Sequence, residues 1–310
     1  MKNGVLFGIG AYFLWGLLPI YWKFIHNVPA LEIISHRMIW SFIFVVGVIA
    51  FSGGWAEFRV SLRGKKDILP FLFTSLLLTG NWLIYVWAVN AGFIVETSLG
   101  YFINPLVNVL LGVLFLREKL RPWQWVSVGL AFLGVAYLSW QYGSLPWIAL
   151  SLAFSFAFYG LIKKKAALSS TQGFATETGI MFFPALAYLL FLEFTGKGAF
   201  GHQSLRVTAL LILAGVATGL PLLLFGKAAR MIPLSMMGFL QYLAPTMQLF
   251  IGVFLYHEPF PLDRLIGFGL IWIALLIYSL EGIVSHQKAR SATPEMNREM
   301  HLPGWLRVKK

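Results

Sequence analysis

Two related stretches of this sequence decide its fold: GYFINPLVNVLLGVLFLREKL at residues 100–120 and LQYLAPTMQLFIGVFLYHEPF at residues 240–260. At an offset of 140 the matched pairs are Pro105 with Pro245, Gly112 with Gly252, Val113 with Val253, Glu118 with Glu258, and further on Gly129 with Gly269. At an offset of 141, weaker matches pair Lys23 with Lys164 and His36 with Glu177. Such self-similarity indicates an internal duplication.

The composition around these stretches is that of a membrane protein. Apolar residues make up 58% of the chain and charged residues 12%, whereas soluble domains carry about 25% charged residues. Runs of about 20 apolar residues recur, each long enough to cross ~30 Å of hydrocarbon as a helix. The alternation typical of a transmembrane β-barrel is missing, and the absence of cysteine excludes thiol chemistry. We therefore predict an all-α integral membrane protein.

The apolar runs predict ten transmembrane helices joined by short connections. Their limits are residues 4–24, 32–52, 68–90, 97–116, 122–140, 146–163, 174–194, 207–228, 234–256 and 263–284. The connections are too short to bury a separate soluble core. Any recognition or chemistry must therefore take place within or at the membrane.

The net charge of +12 is explained by membrane topology and gives no reason to expect nucleic acid. With a cytoplasmic N-terminus, nineteen of the 24 Lys and Arg residues, including the run at 163–165, fall on the cytoplasmic side and four on the other. This positive-inside pattern predicts that both termini are cytoplasmic. The basic tail, residues 285–310, is expected to lie along anionic lipid or to be disordered.

Five spans in each half require the second copy to insert upside down relative to the first. We expect residues 4–140 and 146–284 to form two inverted five-helix repeats. Inverted repeats build pseudosymmetric transporters whose solute site lies near the bilayer midplane. Pro105 and Pro245 are hinge candidates, since proline interrupts the hydrogen-bond ladder of a helix.

Polar and aromatic residues inside the spans suggest a solute cavity. The candidates are Asn81, Tyr85, Tyr101, Asn104, Asn108, Gln241, Gln248 and Trp15. Because Asn108 and Gln248 match at the offset of 140, we expect them to face each other near mid-membrane and to bind a polar or zwitterionic solute with uncharged amides. The alternative is that the amides only hold neighbouring helices together.

Ionisable residues inside the spans are candidates for a gate or for ion coupling: His36, Arg37 and Glu177. A charged side chain at the bilayer centre costs roughly 2.5–3.5 kcal/mol and usually has a function. We expect Arg37 to mark one mouth of the cavity and Glu177 the other. His36 could carry protons if transport is proton-coupled. Alternatively, Arg37 caps backbone carbonyls or snorkels outward and has no role in transport.

Six stretches of the sequence carry a family resemblance: AYFLWGLLPIYWK (11–23), EIISHRMIWS (32–41), GNWLIYVWAVN (80–90), ETSLGYFINPLVN (96–108), GSLPWIALSLAFSFAFYGL (143–161) and GFLQYLAPT (238–246). Over residues 4–285 the chain resembles RarD permeases, in the EamA branch of the drug/metabolite transporter superfamily. The resemblance implies ten helices in the inner membrane and export of small metabolites or drugs. The name chloramphenicol-sensitive, used in this family, describes a phenotype.

These observations favour a secondary transporter that works by alternating access and exports a small amphipathic solute. No Walker motif is present, so energy would come from the solute gradient or from protons. The chain has no HExxH or GxSxG motif that would indicate an intramembrane enzyme. A non-transporting sensor or scaffold is the other alternative. No cofactor is expected, and both a monomer and a homodimer stay open.

Overall fold

The computed structural model describes residues 2–61, 65–91, 93–142, 146–166, 168–256 and 262–300, and these residues form helices and short connections. Apolar runs become helices because every backbone N–H and C=O in lipid must be bonded internally. The elements are α1 (Lys2–Lys23), α2 (Ala30–Phe51), α3 (Trp55–Ser61), α4 (Lys65–Asn90), α5 (Ile94–Leu116), α6 (Pro122–Tyr142), α7 (Trp147–Lys165), α8 (Ser170–Phe194), α9 (Leu205–Met231), α10 (Leu234–Gln241), α11 (Leu243–Phe250), a π-helical turn (Ile251–Leu255) and α12 (Leu262–Met300).

Within this described part, eight segments are long and apolar enough to span a membrane, and α4 contains a shorter apolar run, Leu69–Tyr85. If α10, α11 and the π-helical turn are taken as one broken helix, ten long helices occupy the places of the ten predicted spans. The chain is a multi-pass membrane protein. The predicted last span, 263–284, agrees with the apolar part of α12, Leu265–Ser285, and the helix itself continues to Met300. Residues 301–310 of the predicted tail, like Glu258 of the repeat, lie outside the described residues.

Proline explains the break in the ninth span. Pro245 has no N–H, and its ring crowds the carbonyl four residues earlier, which belongs to Gln241. Helix α10 ends at Gln241, and α11 begins at Leu243. Pro105, by contrast, lies inside α5 without interrupting it. Of the two hinge candidates, Pro245 coincides with a break, and a hinge role for either stays a prediction.

The end of α5 is fastened to the start of α10. Arg117 adopts a left-handed conformation with φ 54°, which ends the helix and lets the N–H of Glu118 bond the Gly112 carbonyl at 3.0 Å. The Glu118 carboxylate then accepts the backbone N–H groups of Leu234 at 2.6 Å and Ser235 at 3.0 Å. An anion at a helix N-terminus bonds otherwise unpaired N–H groups and meets the positive end of the helix dipole. This contact joins the two halves of the chain.

Helices from the two halves pack against each other throughout the bundle. Helix α1 packs on α9 and α11, α2 on α8 and α9, α5 on α7 and α10, α4 on α7, and α6 on α12. Glycine permits the closest approaches, as is common between membrane helices. A Cβ at Gly238 would lie 2.5 Å from the Pro105 carbonyl oxygen, and one at Gly215 would lie 2.3 Å from the backbone of Trp40. The core is thus an interface between halves.

Candidate solute cavity

A cavity of about 300 Å³ lies between the two halves, at the lower end of the usual size for ligand pockets. Seven of the eight cavity candidates line it: Trp15, Asn81, Tyr85, Tyr101, Asn104, Gln241 and Gln248. Arg37 and Pro245 line it as well. Asn108, His36, Glu177 and Pro105 are not among the lining residues. Whether any of these residues binds a solute stays a prediction.

Aromatic rings form much of the cavity wall. The Trp15 ring lies 5.7 Å from both Phe156 and Phe225, measured between ring centroids. Tyr85 and Tyr101 meet edge to face at 5.9 Å. Tyr101 is 40% exposed although its helix lies between other helices, because its side chain faces the cavity. Such walls can stack on a planar or apolar solute.

The amides mainly tie helices together, and the expected pairing of Asn108 with Gln248 is wrong. Asn108 Nδ2 donates to Asn104 Oδ1 at 3.2 Å and to Gln241 Oε1 at 2.9 Å, and Asn104 Nδ2 donates to the Ala153 carbonyl. This chain of amides links α7, α5 and α10. Asn108 itself is 1% exposed. It contacts Gln241 because α10, and not α11, crosses α5 at this depth.

Gln248 has a different partner, on α1. Its Nε2 donates to the Trp15 carbonyl at 3.1 Å. Pro19, four residues after Trp15, has no N–H to occupy that carbonyl, so the amide replaces a missing helical hydrogen bond. On α4, Asn81 Nδ2 likewise donates to the Leu152 carbonyl and to Ser155 Oγ, both at 2.9 Å. Four cavity-lining amides, Asn81, Asn104, Gln241 and Gln248, therefore also bridge helices.

Arg37 faces the cavity from α2. Its Nε donates to Thr218 Oγ1 at 2.8 Å. The guanidinium carbon lies 4.1 Å from the ring centroid of Trp82 and 4.9 Å from that of Trp22. Aromatic faces attract a guanidinium and hold its orientation. The side chain thus lines the interior cavity, and a role for it in transport stays a prediction.

His36, next to Arg37 in the chain, points to another cluster. The ring is 4% exposed, stacks on Phe200 at 4.8 Å, and accepts a hydrogen bond from Trp40 Nε1 at 3.2 Å. Its Nε2 lies 3.9 Å from Glu32 Oε1, which accepts the Ala199 backbone N–H at 2.7 Å. This cluster fastens the α8–α9 connection to α2. A role for His36 in proton coupling stays a prediction.

The expectation that Glu177 marks a cavity mouth is wrong. Glu177 is 2% exposed, and both of its oxygens lie 3.1 Å from Lys163 Nζ. Thr74 donates to it at 2.5 Å and Tyr159 at 3.4 Å. Lys163 is itself only 4% exposed, although the sequence places the run at 163–165 on the cytoplasmic surface. The two buried side chains form an ion pair, so neither charge faces an opening of the cavity.

The Glu177 network and the cavity lie at different levels of the same helices. On α4, Thr74 belongs to the network, and Asn81 lines the cavity seven residues later, about 10 Å along the axis. On α7 the order is reversed: Phe156 lines the cavity and Lys163 belongs to the network. The bundle therefore contains a cavity toward one end and a buried ion pair toward the other.

Sequence reasoning missed several residues that build these two regions. Trp22 and Trp82 flank Arg37, and Thr218 bonds it. The repeat could have drawn attention to Trp22, because the match of Lys23 with Lys164 also pairs Trp22 with Lys163. The partners of Lys163 lie far apart in sequence, and no local pattern marks Thr74 as one of them.

A multi-pass helical bundle with an internal, aromatic-walled cavity defines a membrane protein of the transporter type. The EamA-like transporter family model matches residues 2–140 and again 145–280. The chain therefore belongs to the EamA-like transporter family.

Relatives extend over nearly the whole chain. The sequence is 47% identical to "Uncharacterized transporter YojE" of Bacillus subtilis, covering 94% of this chain and 98% of that one. It is 42% identical to "Protein RarD" of Escherichia coli, covering 93% and 97%. "Chloramphenicol-sensitive protein RarD" of Pseudomonas aeruginosa is 29% identical, with coverage of 89% and 93%. The resemblance to RarD proteins is confirmed.

One solved structure, described only as the crystal structure of a protein, matches the fold with a TM-score of 0.69. It is 18% identical to this chain and covers 89% of it and 97% of its own length. At that identity the likeness concerns the fold alone.

Proposed function

We propose that this protein is a secondary transporter that carries small amphipathic solutes, such as amino acids or drugs like chloramphenicol, out of the cytoplasm by alternating access. In this proposal the solute binds in the 300 Å³ cavity. The chain lies in a bacterial-type inner membrane with both termini in the cytoplasm, as its cation distribution predicts. Energy comes from the solute gradient or from protons.

The proposal includes two inverted repeats, residues 4–140 and 146–284. The double match of the family model supports a duplication. The helix pairs support a two-fold relation: exchanging α1 with α7, α2 with α8, α4 with α9, α5 with α10 and α11, and α6 with α12 converts the main contacts into one another. For example, the α1–α9 contact becomes α7–α4, and the α2–α9 contact becomes α8–α4.

One asymmetry carries the proposal. Helices α7 and α9 pack together, whereas their counterparts α1 and α4 make no comparable contact in the described part of the chain and line the cavity instead. In this proposal the two interfaces are equivalent, and one of them is closed while the other is open. Alternating access requires a protein that exchanges these two states between its ends.

Residues at matching positions of α1 and α7 show the same difference between an open and a closed end. Lys164 Nζ donates to the Ala229 carbonyl at 3.0 Å and so ties α7 to the end of α9. Lys23, its counterpart at the end of α1, lies over the Tyr256 ring at 3.4 Å from its centroid. Beside them, Lys163 is paired with Glu177, while its counterpart Trp22 faces the cavity. With a cytoplasmic N-terminus, the closed end faces the cytoplasm.

The test is solute flux through the purified protein in liposomes. Radiolabelled tryptophan and chloramphenicol are loaded on one side, and saturable movement is compared with that of protein-free vesicles. A transporter moves at least one of them, and excess unlabelled solute on the opposite side accelerates that movement by counterflow. Absence of saturable flux for every solute, together with specific solute binding by the same preparation, would favour a sensor. Conversion of a solute would favour an enzyme.

A further inference from the structure

Arg37 brings a positive charge to the cavity, and no described acidic side chain forms an ion pair with it. The part of the chain that the structure describes forms no ion pair with this guanidinium, whose one hydrogen bond there goes from Nε to Thr218. The acidic side chains of the core are engaged elsewhere. Glu32 binds the Ala199 backbone, Glu118 caps α10, and Glu177 pairs with Lys163.

An unpaired arginine at this depth needs an explanation. A buried cation without a partner is costly in a low-dielectric interior. Arginine carries N–H donors on Nε and on both Nη atoms, and here only Nε is bonded to a side chain. The remaining donors are free to bind a ligand in the cavity that Arg37 lines.

The two tryptophans restrict how that ligand can approach. The centroids of the Trp82 and Trp22 rings lie 4.1 and 4.9 Å from the guanidinium carbon and limit the space around it. The N–H donors lie in the plane of the guanidinium, so its edge is what a ligand can reach. A carboxylate fits this edge with two parallel hydrogen bonds.

The other lining residues indicate the shape, charge and size of the rest of the ligand. Its walls include Trp15, Tyr85, Tyr101 and Phe156, which suit a planar or apolar group. Among the described lining residues Arg37 is the one cation, so a single negative charge is matched and a dianion such as a phosphate monoester is not. The volume of about 300 Å³ limits the solute to a small molecule.

We propose that Arg37 binds the carboxylate of the transported solute, that Trp22 and Trp82 position its guanidinium, and that the solutes are small aromatic or apolar carboxylates. This inference rests on the proposed transport function and narrows its substrate class. Zwitterionic amino acids fall within the class through their carboxylate. Neutral drugs such as chloramphenicol would bind more weakly, because they leave the arginine unpaired.

The test compares probes that differ in charge and little in shape. Indole-3-acetate, indole-3-acetamide and phenyl phosphate are titrated by calorimetry into the purified full-length protein. The acid is expected to bind about 10- to 100-fold more tightly than the amide, the range of a hydrogen-bonded charge. Arg37→Gln should abolish this preference and leave the affinity for the amide unchanged. Arg37→Lys should retain part of it, since lysine keeps the charge without the planar fork.

A matched control is Arg206→Gln. Arg206 also lies over an aromatic ring, that of Phe24 at 4.7 Å, but it does not line the cavity, so its replacement should leave the preference intact. Thermal unfolding of each variant checks that it folds. Equal affinity for acid and amide, tighter binding of the phosphate, an undiminished preference in Arg37→Gln, or no binding of the acid would each overturn the proposal.

Flux of the same probes in liposomes separates this inference from the proposed function. Saturable flux with no acid preference would leave a transporter and overturn the carboxylate site. Arginine-dependent binding of the acid without flux of any solute would support the site and overturn transport.

Discussion

The two halves of the chain match the same family model, but the two ends of the helix bundle are packed differently. At one end α1 and α4 stand apart, and Arg37 lies between two tryptophans at an open cavity. At the other end α7 packs on α9, and Lys163 and Glu177 form a buried ion pair. In the proposed two-fold relation, each end of the bundle can adopt either arrangement. A duplicated chain can therefore have two packings of similar free energy, which is what a carrier must populate.

The largest expected effect concerns the buried ion pair of the closed end. Lys163→Met leaves Glu177 unpaired in the core and should lower the free energy of unfolding by about 3–5 kcal/mol. The double variant Lys163→Met/Glu177→Leu should recover most of this loss, since no buried charge remains. Unfolding in mixed detergent micelles measures both.

The half-exposed pair of Arg121 and Glu281 is the control for that experiment. Its oxygen–nitrogen distance is 2.7 Å, but the Arg121 side chain is 55% exposed. Glu281→Gln should therefore cost less than about 1 kcal/mol. Similar losses at the two pairs would contradict a buried, charged pair at the closed end.

Two glycines distinguish the packing of the ends. A Cβ at Gly173 would lie 2.3 Å from the Phe71 ring and 3.1 Å from Lys163 Nζ, so Gly173→Ala should destabilise the protein by about 1–3 kcal/mol. Gly80, on the open side of α4, has nothing within 4 Å of an added Cβ. Gly80→Ala should be neutral or stabilise by up to about 1 kcal/mol through helix propensity. An equal fall in melting temperature for the two variants would contradict the inference that helices pack more densely around Gly173 than around Gly80.

Variants of the amides distinguish residues that hold helices together from residues that bind the solute. Asn108→Leu removes the bonds to Asn104 and Gln241 and should cost about 1–2 kcal/mol of stability, since it leaves buried acceptors unpaired. Gln248→Leu removes one bond between helices, worth about 0.6 kcal/mol, and should weaken solute binding more than folding. Unfolding and calorimetric titration are measured on both variants. If Asn108→Leu weakened solute binding and left stability unchanged, Asn108 would be a solute-binding residue after all.

The smallest effect concerns the two matching lysines at the helix ends. Lys164→Met removes a cation from the end of α9 and should favour opening of the closed end by about 0.3–1 kcal/mol. The chain has no cysteine, so Gly160→Cys, beside Phe225 at 3.3 Å, can report opening through its rate of maleimide labelling. The rate should rise up to about 5-fold with Lys164→Met. Lys23→Met is the control and should not raise it.

Sequence periodicity and composition predicted most of the fold. A long apolar run without alternation forms a helix in lipid, because the helix bonds every backbone N–H and C=O internally. The ten helices therefore follow from the sequence, and Pro245 accounts for the break in the ninth. The extension of α12 to Met300 was not predicted, because the residues after 284 lose the apolar character that marks a span. Most polar and aromatic cavity candidates line the cavity, since polar groups inside a span turn away from lipid.

The errors at the site share one cause. Glu177 was expected at a mouth because it lies near the end of a span and matches the His36–Arg37 region in the repeat. Asn108 was expected opposite Gln248 because equal positions in a repeat suggest contact. Both expectations ignore partners far away in the chain. Lys163, Thr74 and Glu177 meet only when α4, α7 and α8 assemble.

The sequence alone determined the class of protein, its spans, its duplication and the residue types available for a cavity, because these depend on local patterns and on the demands of lipid. The tertiary structure decided where the cavity lies, that Lys163 pairs with Glu177, and that Arg37 faces the cavity. These outcomes depend on side chains that are far apart in the sequence and meet only when the helices pack, so no local pattern predicts them.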